Sequence, residues 1–230
     1  LPEIPEFLPN RVATGDKGLD GLLLGGIPEN YAVVLTSPSC DERDLMIENF
    51  LKTGVKEGEV TFYVTVDPSQ LKGLAEEFPS NFYLFVCNPQ ADKIVKTFPN
   101  VFKLKGVENL TEISIAMTKA FRMLDDSKSV PRRACIEIVS DTLLQHHAVK
   151  TRKWLMDLIT DLKSQGFTVL AIVNPKMHTP EEVHATLDLF DGEISIYERA
   201  REERCLKVKK MHNQKYLEWE LPLKKAKPDE

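Results

Sequence analysis

The stretch from Tyr31 to Met46 (YAVVLTSPSCDERDLM) constrains the fold of this chain more than any other. Its first five residues form a short apolar run, which predicts a buried strand. A segment rich in Ser and Pro follows. A helical pattern then runs from about Glu42 to Thr53, with Met46 and Phe50 four positions apart. A buried strand, a tight loop and a helix in direct succession form the arrangement in which phosphate-binding loops occur.

Upstream, Thr14-Gly15 is followed by GLDGLLLGGIP at positions 18–28. Together with the strand, loop and helix, this string resembles the start of the ATPase core of RecA-superfamily proteins of the KaiC-like branch, a family of archaeal or bacterial type. The resemblance extends from Arg11 to Leu223. It implies an α/β fold of the RecA-like P-loop NTPase class, with a mostly parallel central sheet flanked by helices and a C-terminal β-hairpin. Strands that alternate with helices along the chain also favour a parallel sheet with right-handed crossovers.

In that family a glycine-rich loop of the form G-x-x-x-x-G-K-[ST] follows the first strand. Here the loop positions are Thr36, Ser37, Pro38, Ser39, Cys40, Asp41, Glu42 and Arg43. The resemblance puts Glu42 where the family has Lys, Asp41 where it has the last Gly, and Arg43 where it has the Mg²⁺-binding hydroxyl. The glycines let backbone N–H groups converge on phosphates, and the Lys adds a positive charge. Replacing Lys by Glu removes that attraction and adds a repulsion of roughly 1–4 kcal/mol at about 4 Å. We therefore expect a degenerate loop that binds no phosphate.

Ser39 and Glu42 also have the spacing of a capping box, in which the first and fourth residues satisfy each other's backbone N–H groups. A helix that is capped in this way no longer offers those N–H groups to a phosphate. The pattern therefore predicts a closed loop at the start of the helix.

Two further carboxylates stand where the resemblance implies catalytic or magnesium-binding groups. Asp67 ends a β-prone run that starts at Val60, at the place of a family residue that activates water, but Pro68 replaces its acidic neighbour. Capping preference favours instead an N-cap for a helix that begins at Pro68. Glu137 stands at the place of the Walker B aspartate. In a buried strand it needs a partner or a raised pKa, unless it lies at a solvated strand end.

The chain returns near its end as a predicted hairpin with strands at Cys205–Met211 and Tyr216–Leu221. It resembles the family hairpin that carries Lys-Met-Arg-Gly across a subunit boundary in ring assemblies, near the neighbour's nucleotide. Lys210 matches this pattern, but His212 and Asn213 replace the Arg and the Gly. The resemblance therefore implies that the arginine finger has been lost.

Composition and charge argue against several other functions. The 230 residues carry a net charge of −5, which does not favour a nucleic-acid binder. No apolar run approaches the length of a membrane span. A basic cluster interleaved with acids predicts a solvated hairpin edge, so DNA is not an expected partner. The cluster consists of Arg199, Arg201, Arg204, Lys207, Lys209 and Lys210.

The cysteines and histidines indicate no metal or redox site. Cys40, Cys87, Cys135 and Cys205 include no C-x-x-C pair and predict buried free thiols in a reducing cytoplasm. His146 and His147 are adjacent and so point apart on a helix, and His178 and His184 are not four positions apart.

The predicted organisation is an extended leader or linker at residues 1–10, one RecA/KaiC-like domain at 11–223 and a charged tail at 224–230. The leading hypothesis is a cytoplasmic pseudo-ATPase that acts in regulation or signalling, with itself or an active KaiC-like paralogue as protein partner. No cofactor is expected, ATP and Mg²⁺ included. Two alternatives stay open: an unorthodox nucleotide-binding ATPase that uses Arg43, Asp67 and Glu137, and a RecA-family DNA-associated protein.

Overall fold

A computed structural model describes residues 6–124, 130–199 and 203–223. The strands in these residues are β1 (Arg11–Val12), β2 (Ile27–Pro28), β3 (Ala32–Thr36), β4 (Val60–Thr65), β5 (Phe82–Cys87), β6 (Val101–Leu104), β7 (Arg132–Ile136), β8 (Phe167–Val173), β9 (Gly192–Glu198), β10 (Arg204–Met211) and β11 (Leu221–Leu223). The helices are α1 (Lys17–Leu22), α2 (Asp41–Lys56), α3 (Leu74–Glu77), α4 (Ala91–Ile94), α5 (Leu110–Met123), α6 (Val139–Ser164) and α7 (Pro180–Leu187). Short 3-10 helices span Ser69–Gly73 and Pro175–Met177.

The central sheet confirms the predicted fold class. Its strand order is β11-β10-β9-β3-β8-β7-β4-β5-β6. Every neighbouring pair from β9 to β6 is parallel. The last two strands, β10 and β11, run antiparallel and form the C-terminal hairpin. Strands β1 and β2 form a separate antiparallel pair before the sheet begins.

Helices cover both faces of the sheet because its central strands are apolar on both sides. In β3, Val33 and Leu35 belong to a buried cluster that includes residues of α2. Ala32 and Val34 point the other way, into a second cluster with residues of α5 and α6. The continuous apolar run from Tyr31 to Leu35 therefore reflects a strand that is buried on both faces.

Helix α6 begins earlier than the apolar period predicts. A helix is expected from about residue 149 to residue 165, yet α6 spans Val139–Ser164 with a non-helical break at His147 (φ 58°, ψ 176°). The Thr151 hydroxyl donates to the Thr142 carbonyl across this kink at 2.9 Å. The polar residues at the break interrupt the apolar repeat, so the repeat reveals only the second half of the helix.

The second strand of the hairpin lies later than predicted. Strand β11 covers Leu221–Leu223 rather than the predicted stretch from residue 216 to residue 221. The preceding segment bonds elsewhere, because the Leu217 N–H donates to the Leu22 carbonyl at 2.8 Å and the Tyr216 hydroxyl donates to the Lys209 carbonyl at 3.3 Å. The tail at 224–230 and the first half of the leader, residues 1–5, lie outside the described residues.

The polar residues at 127–133 predict a loop. This prediction is wrong at its end, because Arg132 and Arg133 belong to β7. Arg133 is fully buried. Its guanidinium bonds the Glu59 carboxylate at 2.5 Å and the carbonyl of Phe50 at 2.8 Å, and it lies over the Phe50 ring. These partners compensate for the burial of the charge. Because they are far away in the sequence, the polarity of residues 127–133 alone wrongly indicates a loop. Residues 125–129 lie outside the described part of the chain.

Candidate functional site

The loop between β3 and α2 lies at the carboxyl ends of the parallel strands, the edge at which open α/β sheets bind ligands. Three of its donors are engaged within the chain. The Ser37 N–H donates to the Val173 carbonyl at 3.0 Å, and the Ser37 hydroxyl donates to the Pro38 carbonyl at 2.8 Å. The Thr36 hydroxyl donates to the Ile194 carbonyl at 3.3 Å. These groups therefore do not point freely towards a ligand.

The predicted capping box at the start of α2 is wrong. The N-cap is Cys40, with no side-chain capping bond, and the helix begins at the exposed Asp41. The Glu42 side chain is 5% exposed and faces Arg204 on β10 instead. Arg204 Nη1 lies 3.0 Å from Glu42 Oε2 and 3.2 Å from Oε1. The carboxylate that could have closed a capping box is thus held by an arginine from the far end of the chain.

The ion pair sets the charge state of both partners. Burial acts to raise the pKa of Glu42, but hydrogen bonds from its own backbone N–H and from Arg204 outweigh it, so the pKa lies below its ordinary value. The hydrogen bond to Glu42 raises the pKa of Arg204 above its already high ordinary value. Both groups are therefore ionised near neutral pH.

Arg43 lies across the first turn of α2. Its guanidinium donates to Asp44 Oδ1 at 2.6 and 2.8 Å and to the Ser39 hydroxyl at 3.3 Å. The Asn174 side chain donates to the same hydroxyl at 3.3 Å. Arg43 supplies no oxygen ligand, so the metal-binding role that the family gives to this position has no counterpart in its chemistry.

Glu137 follows the end of β7 and is half-buried. Its Oε2 accepts hydrogen bonds from the Tyr63 hydroxyl at 2.5 Å and from the Thr65 hydroxyl at 2.9 Å. Burial nevertheless raises the pKa of Glu137, against the effect of these bonds. A hydrogen-bonding partner and a raised pKa are the two alternatives that the sequence predicts for a buried Glu137, and both are present.

The predicted N-cap at Asp67 is wrong, because the next helix is a 3-10 helix at Ser69–Gly73 whose N-cap is Pro68, with no side-chain capping bond. The Ser69 N–H donates to Asp67 Oδ1 at 2.9 Å, and the Asp67 N–H donates to the Thr65 hydroxyl oxygen at 3.1 Å.

A cavity of about 440 Å³ brings Arg43, Asp67 and Glu137 together at the carboxyl edge of the sheet. Asp141, in the first turn of α6, also lines it, and burial raises the pKa of this carboxyl. We call this space the edge cavity. It joins three of the residues that the sequence singles out, and it adds Tyr63 and other groups that carry no motif.

The two hairpin residues lie elsewhere. Lys210 pairs with Glu193 near the start of β9, because β10 runs antiparallel to it. The His212 N–H donates to the Asp191 carbonyl at 2.8 Å, and the His212 carbonyl accepts from the Tyr31 hydroxyl at 2.8 Å. Lys210 and His212 thus lie at the amino ends of the parallel strands, on the edge opposite the loop.

The basic cluster is less solvated than predicted. Arg204 is partly buried against Glu42, and the exposed members include Lys209, which pairs with Glu193 at 2.8 Å, and Arg199, which pairs with Glu220. Acidic neighbours thus offset much of this charge, which favours the expectation that DNA is not a partner. Another member of the cluster, at position 201, lies outside the described residues.

The cysteine prediction is confirmed, because all four thiols are free and buried. Burial raises the pKa of Cys87 to about 12, so this thiol is not activated. Within the described residues, no group of three His, Cys, Asp or Glu side chains could hold a metal ion. The same part of the chain contains no helix that is long and apolar enough to cross a membrane.

The family described as "ATPase: KaiC" matches residues 12–224. The chain belongs to the KaiC ATPase family. This match covers almost the whole sequence, including the loop between β3 and α2. It also accounts for the order of strands and helices on either side of that loop.

Individual relatives match shorter parts of the chain. The UPF0273 protein MK0039 of Methanopyrus kandleri is 39% identical over 74 residues, which are 31% of this chain and 29% of that protein. The UPF0273 protein PH0284 of Pyrococcus horikoshii is 36% identical over 70 residues, or 30% and 28% of the two chains. The chain thus spans less than a third of the length of the curated relatives it matches.

A solved structure extends the similarity in fold to nearly the full length. The crystal structure of the KaiC-like protein PH0186 from Pyrococcus horikoshii matches with a TM-score of 0.64 and 21% identity. The match covers 92% of this chain and 93% of that one. At this identity the similarity concerns the fold alone.

Sequence reasoning missed the partner of Glu42. Arg204 lies 162 positions away, and its charge looked like one of several on a solvated hairpin. No local pattern links the two, because the pairing depends on the strand order of the sheet. Asp141 offered a weak signal, since it is an acidic residue only four positions after Glu137, which stands at the place of the Walker B aspartate.

Proposed function

We propose that this KaiC-family domain has lost the binding and hydrolysis of ATP and acts as a regulatory or protein-interaction module. The observation that carries the proposal is the ion pair between Glu42 and Arg204. Glu42 is a buried negative charge, and the sequence resemblance puts it at the position of the family lysine that binds the outer phosphates. Arg204 offsets this negative charge, but its guanidinium is already bound to the Glu42 carboxylate.

The electrostatics of the loop support this proposal. Two unit charges of the same sign about 4 Å apart repel by roughly 4 kcal/mol at a dielectric typical of protein surfaces. Arg204 offsets this repulsion only in part, since a phosphate would have to compete with Glu42 for its donors. The Ser37 N–H, already bonded to Val173, adds no donor. The N–H groups at the start of α2 have no side-chain cap, so the charge of Glu42, and not a lack of donors, is the main argument against a triphosphate.

A sheet that keeps its architecture without a nucleotide site is suited to contact with another protein. The proposed partner is a second copy of this chain or an active KaiC-like relative. Lys210 and His212 are exposed at the edge opposite the loop, so a partner that contacts them would not contact the edge cavity of the same copy.

The test is whether nucleotide affects the assembly or is consumed. Light scattering after gel filtration would give the mass of the protein alone, with Mg-ATP and with Mg-ADP, and phosphate release would be followed in parallel. We expect the same mass under all three conditions and no release above buffer. A change in mass caused by nucleotide, or steady release of phosphate, would refute the proposal.

One observation favours a second candidate, an unorthodox nucleotide-binding ATPase. Arg43, Asp67 and Glu137 line one cavity, so a cation and two carboxylates are within reach of one ligand. If this candidate is right, phosphate release should occur and should disappear in both Arg43→Gln and Glu137→Gln. Glu76→Gln, a change at an exposed carboxylate outside the cavity, is the matched control and should keep it.

A further inference from the structure

The edge cavity has the size of a small-molecule site. Its volume of about 440 Å³ lies within the range of roughly 300–1,000 Å³ that is usual for such sites. Part of its wall is apolar, whereas hydroxyl and carboxyl groups, the Arg43 guanidinium and the Asn174 amide line the rest. The apolar lining residues are Ile47, Val66, Leu71, Ile172 and Met177.

The charges that line the edge cavity are mostly negative. Two of its carboxylates have cationic partners: Asp44 pairs with Arg43, and Glu48 pairs with Lys52. The other three form no ion pair with any residue that the structure describes. They are Asp67, Glu137 and Asp141. Of these, Asp67 is exposed, whereas Glu137 and Asp141 are half-buried. Burial raises the pKa values of Glu137 and Asp141. Arg43 and His178 act to lower these two pKa values, but burial outweighs them. A cation bound beside the two half-buried carboxylates would relieve this cost of burial.

The geometry disfavours a metal ion as that cation. Nowhere in the described residues do three acidic, histidine or cysteine side chains converge closely enough to hold a metal. The three unpaired carboxylates come from different elements: the end of β4, the end of β7 and the first turn of α6. Groups spread in this way suit a larger cation that can contact them at several points.

The chain itself binds guanidinium groups in this region. Arg43 donates to Asp44 and to the Ser39 hydroxyl in the cavity wall. At the start of the same helix, Glu42 holds the guanidinium of Arg204. These contacts show that carboxylates at the start of α2 bind planar cations with several donors, next to the cavity that Asp67, Glu137 and Asp141 line.

We propose that the edge cavity binds an organic cation, an ammonium or guanidinium group on an aliphatic chain, with its charge facing Asp67, Glu137 and Asp141. The aliphatic part would pack on Ile47 and Leu71. This inference rests on the proposed loss of nucleotide binding, since a triphosphate would need positive charge at this place. The cation is either a free small molecule or a basic side chain of a partner protein.

Calorimetric titration with n-butylguanidinium tests the inference, because n-butylurea has nearly the same shape without the charge. We expect the charged probe to bind in the millimolar range or better and the neutral one to show no binding. Asp141→Asn should weaken the binding of the charged probe about tenfold or more, the effect of losing one charge-assisted hydrogen bond. Asp157→Asn, an exposed change on the same helix, should leave it unchanged.

A third probe, Nα-acetyl-arginine methylamide, distinguishes the sources. Binding of this probe as well assigns the cavity to a basic side chain of a protein, whereas binding of n-butylguanidinium alone assigns it to a free small cation. Glu137→Gln provides a second variant if Asp141→Asn fails to fold. The inference is refuted if neither charged probe binds, or if binding survives both cavity substitutions. A parallel titration with Mg-ATP separates the two claims: no binding of ATP or cation leaves the proposed function standing and removes only this inference.

Discussion

At the scale of single residues, Glu42 shows how one substitution changes the chemistry of a whole loop. The sequence resemblance puts its carboxylate at the position of the family lysine, and the side chain is almost completely buried. It stays charged because Arg204 and its own backbone N–H stabilise the anion. A lysine at this position would face the Arg204 guanidinium, so a change of Glu42 alone would bring two cations together.

The stability of single and paired variants tests this interaction. Glu42→Lys should lower the free energy of unfolding by about 1–3 kcal/mol, because it removes charge-assisted hydrogen bonds and places two cations together. Adding Arg204→Glu should recover much of the loss. The exposed pair of Lys96 and Glu76 is the control, and Glu76→Lys should cost less than about 1 kcal/mol. Urea denaturation measures all four proteins. Equal stability of Glu42→Lys and the wild type would show that the ion pair does not form in solution.

Glu137 gives a prediction about pH. Burial raises its pKa in the folded protein, so the folded state favours the protonated form. The contribution of Glu137 to stability therefore falls as the pH rises above its ordinary pKa of about 4.5. Glu137→Gln cannot titrate and can still accept the bonds from Tyr63 and Thr65. Its stability relative to the wild type should thus increase between about pH 5 and about pH 8. Urea denaturation at both pH values checks this, and a relative stability that decreases would contradict it.

At the scale of elements, the sequence predicted most strands of the parallel sheet because each is a short apolar run. The apolar residues at 101–104 predict a strand, and β6 spans Val101–Leu104. Strand β3 (Ala32–Thr36) begins and ends one residue later than the apolar run from Tyr31 to Leu35 predicts. The errors occur where distant contacts override local pattern. Arg133 looks like a loop residue but lies in β7, because Glu59 and backbone carbonyls of other segments bind its charge. The same holds for α6, whose first half lacks a clear apolar repeat.

Helix α2 packs closely against this buried arginine at Gly54. A Cβ atom added there would lie 2.5 Å from Arg133 Cδ and 2.6 Å from Thr61 Oγ1. Gly54→Ala should therefore destabilise the fold by about 1–3 kcal/mol through overpacking. Gly21→Ala in α1 is the matched control, since nothing lies within 4 Å of its added Cβ. Because alanine is the better helix former, that variant should gain up to about 1 kcal/mol. Chemical denaturation measures the free energy of unfolding of both variants. Equal changes in this free energy would contradict the close packing of Gly54 against Arg133.

At the scale of the whole molecule, the fold and the position of the loop were predictable, whereas the contents of the site were not. The order of strands and helices and the string before β3 indicated the RecA-like core, which the family match now supports. The partners of Glu42 and Glu137 come from strands that are distant in sequence, so only the assembled sheet brings them together. The hairpin residues Lys210 and His212 lie at the opposite edge of the sheet because β10 runs antiparallel to β9.

The most direct test of the account is a calorimetric titration of Mg-ATP into two proteins. One is the wild type, and the other carries a consensus phosphate-binding loop at positions 36–43 together with Arg204→Gln, which removes the cation that would face the new lysine. We expect the wild type to bind no better than millimolar and the grafted protein to bind more tightly, with circular dichroism showing the same fold for both. A micromolar dissociation constant for the wild type, about −8 kcal/mol of binding free energy, would contradict the central claim that this loop no longer accepts a nucleotide.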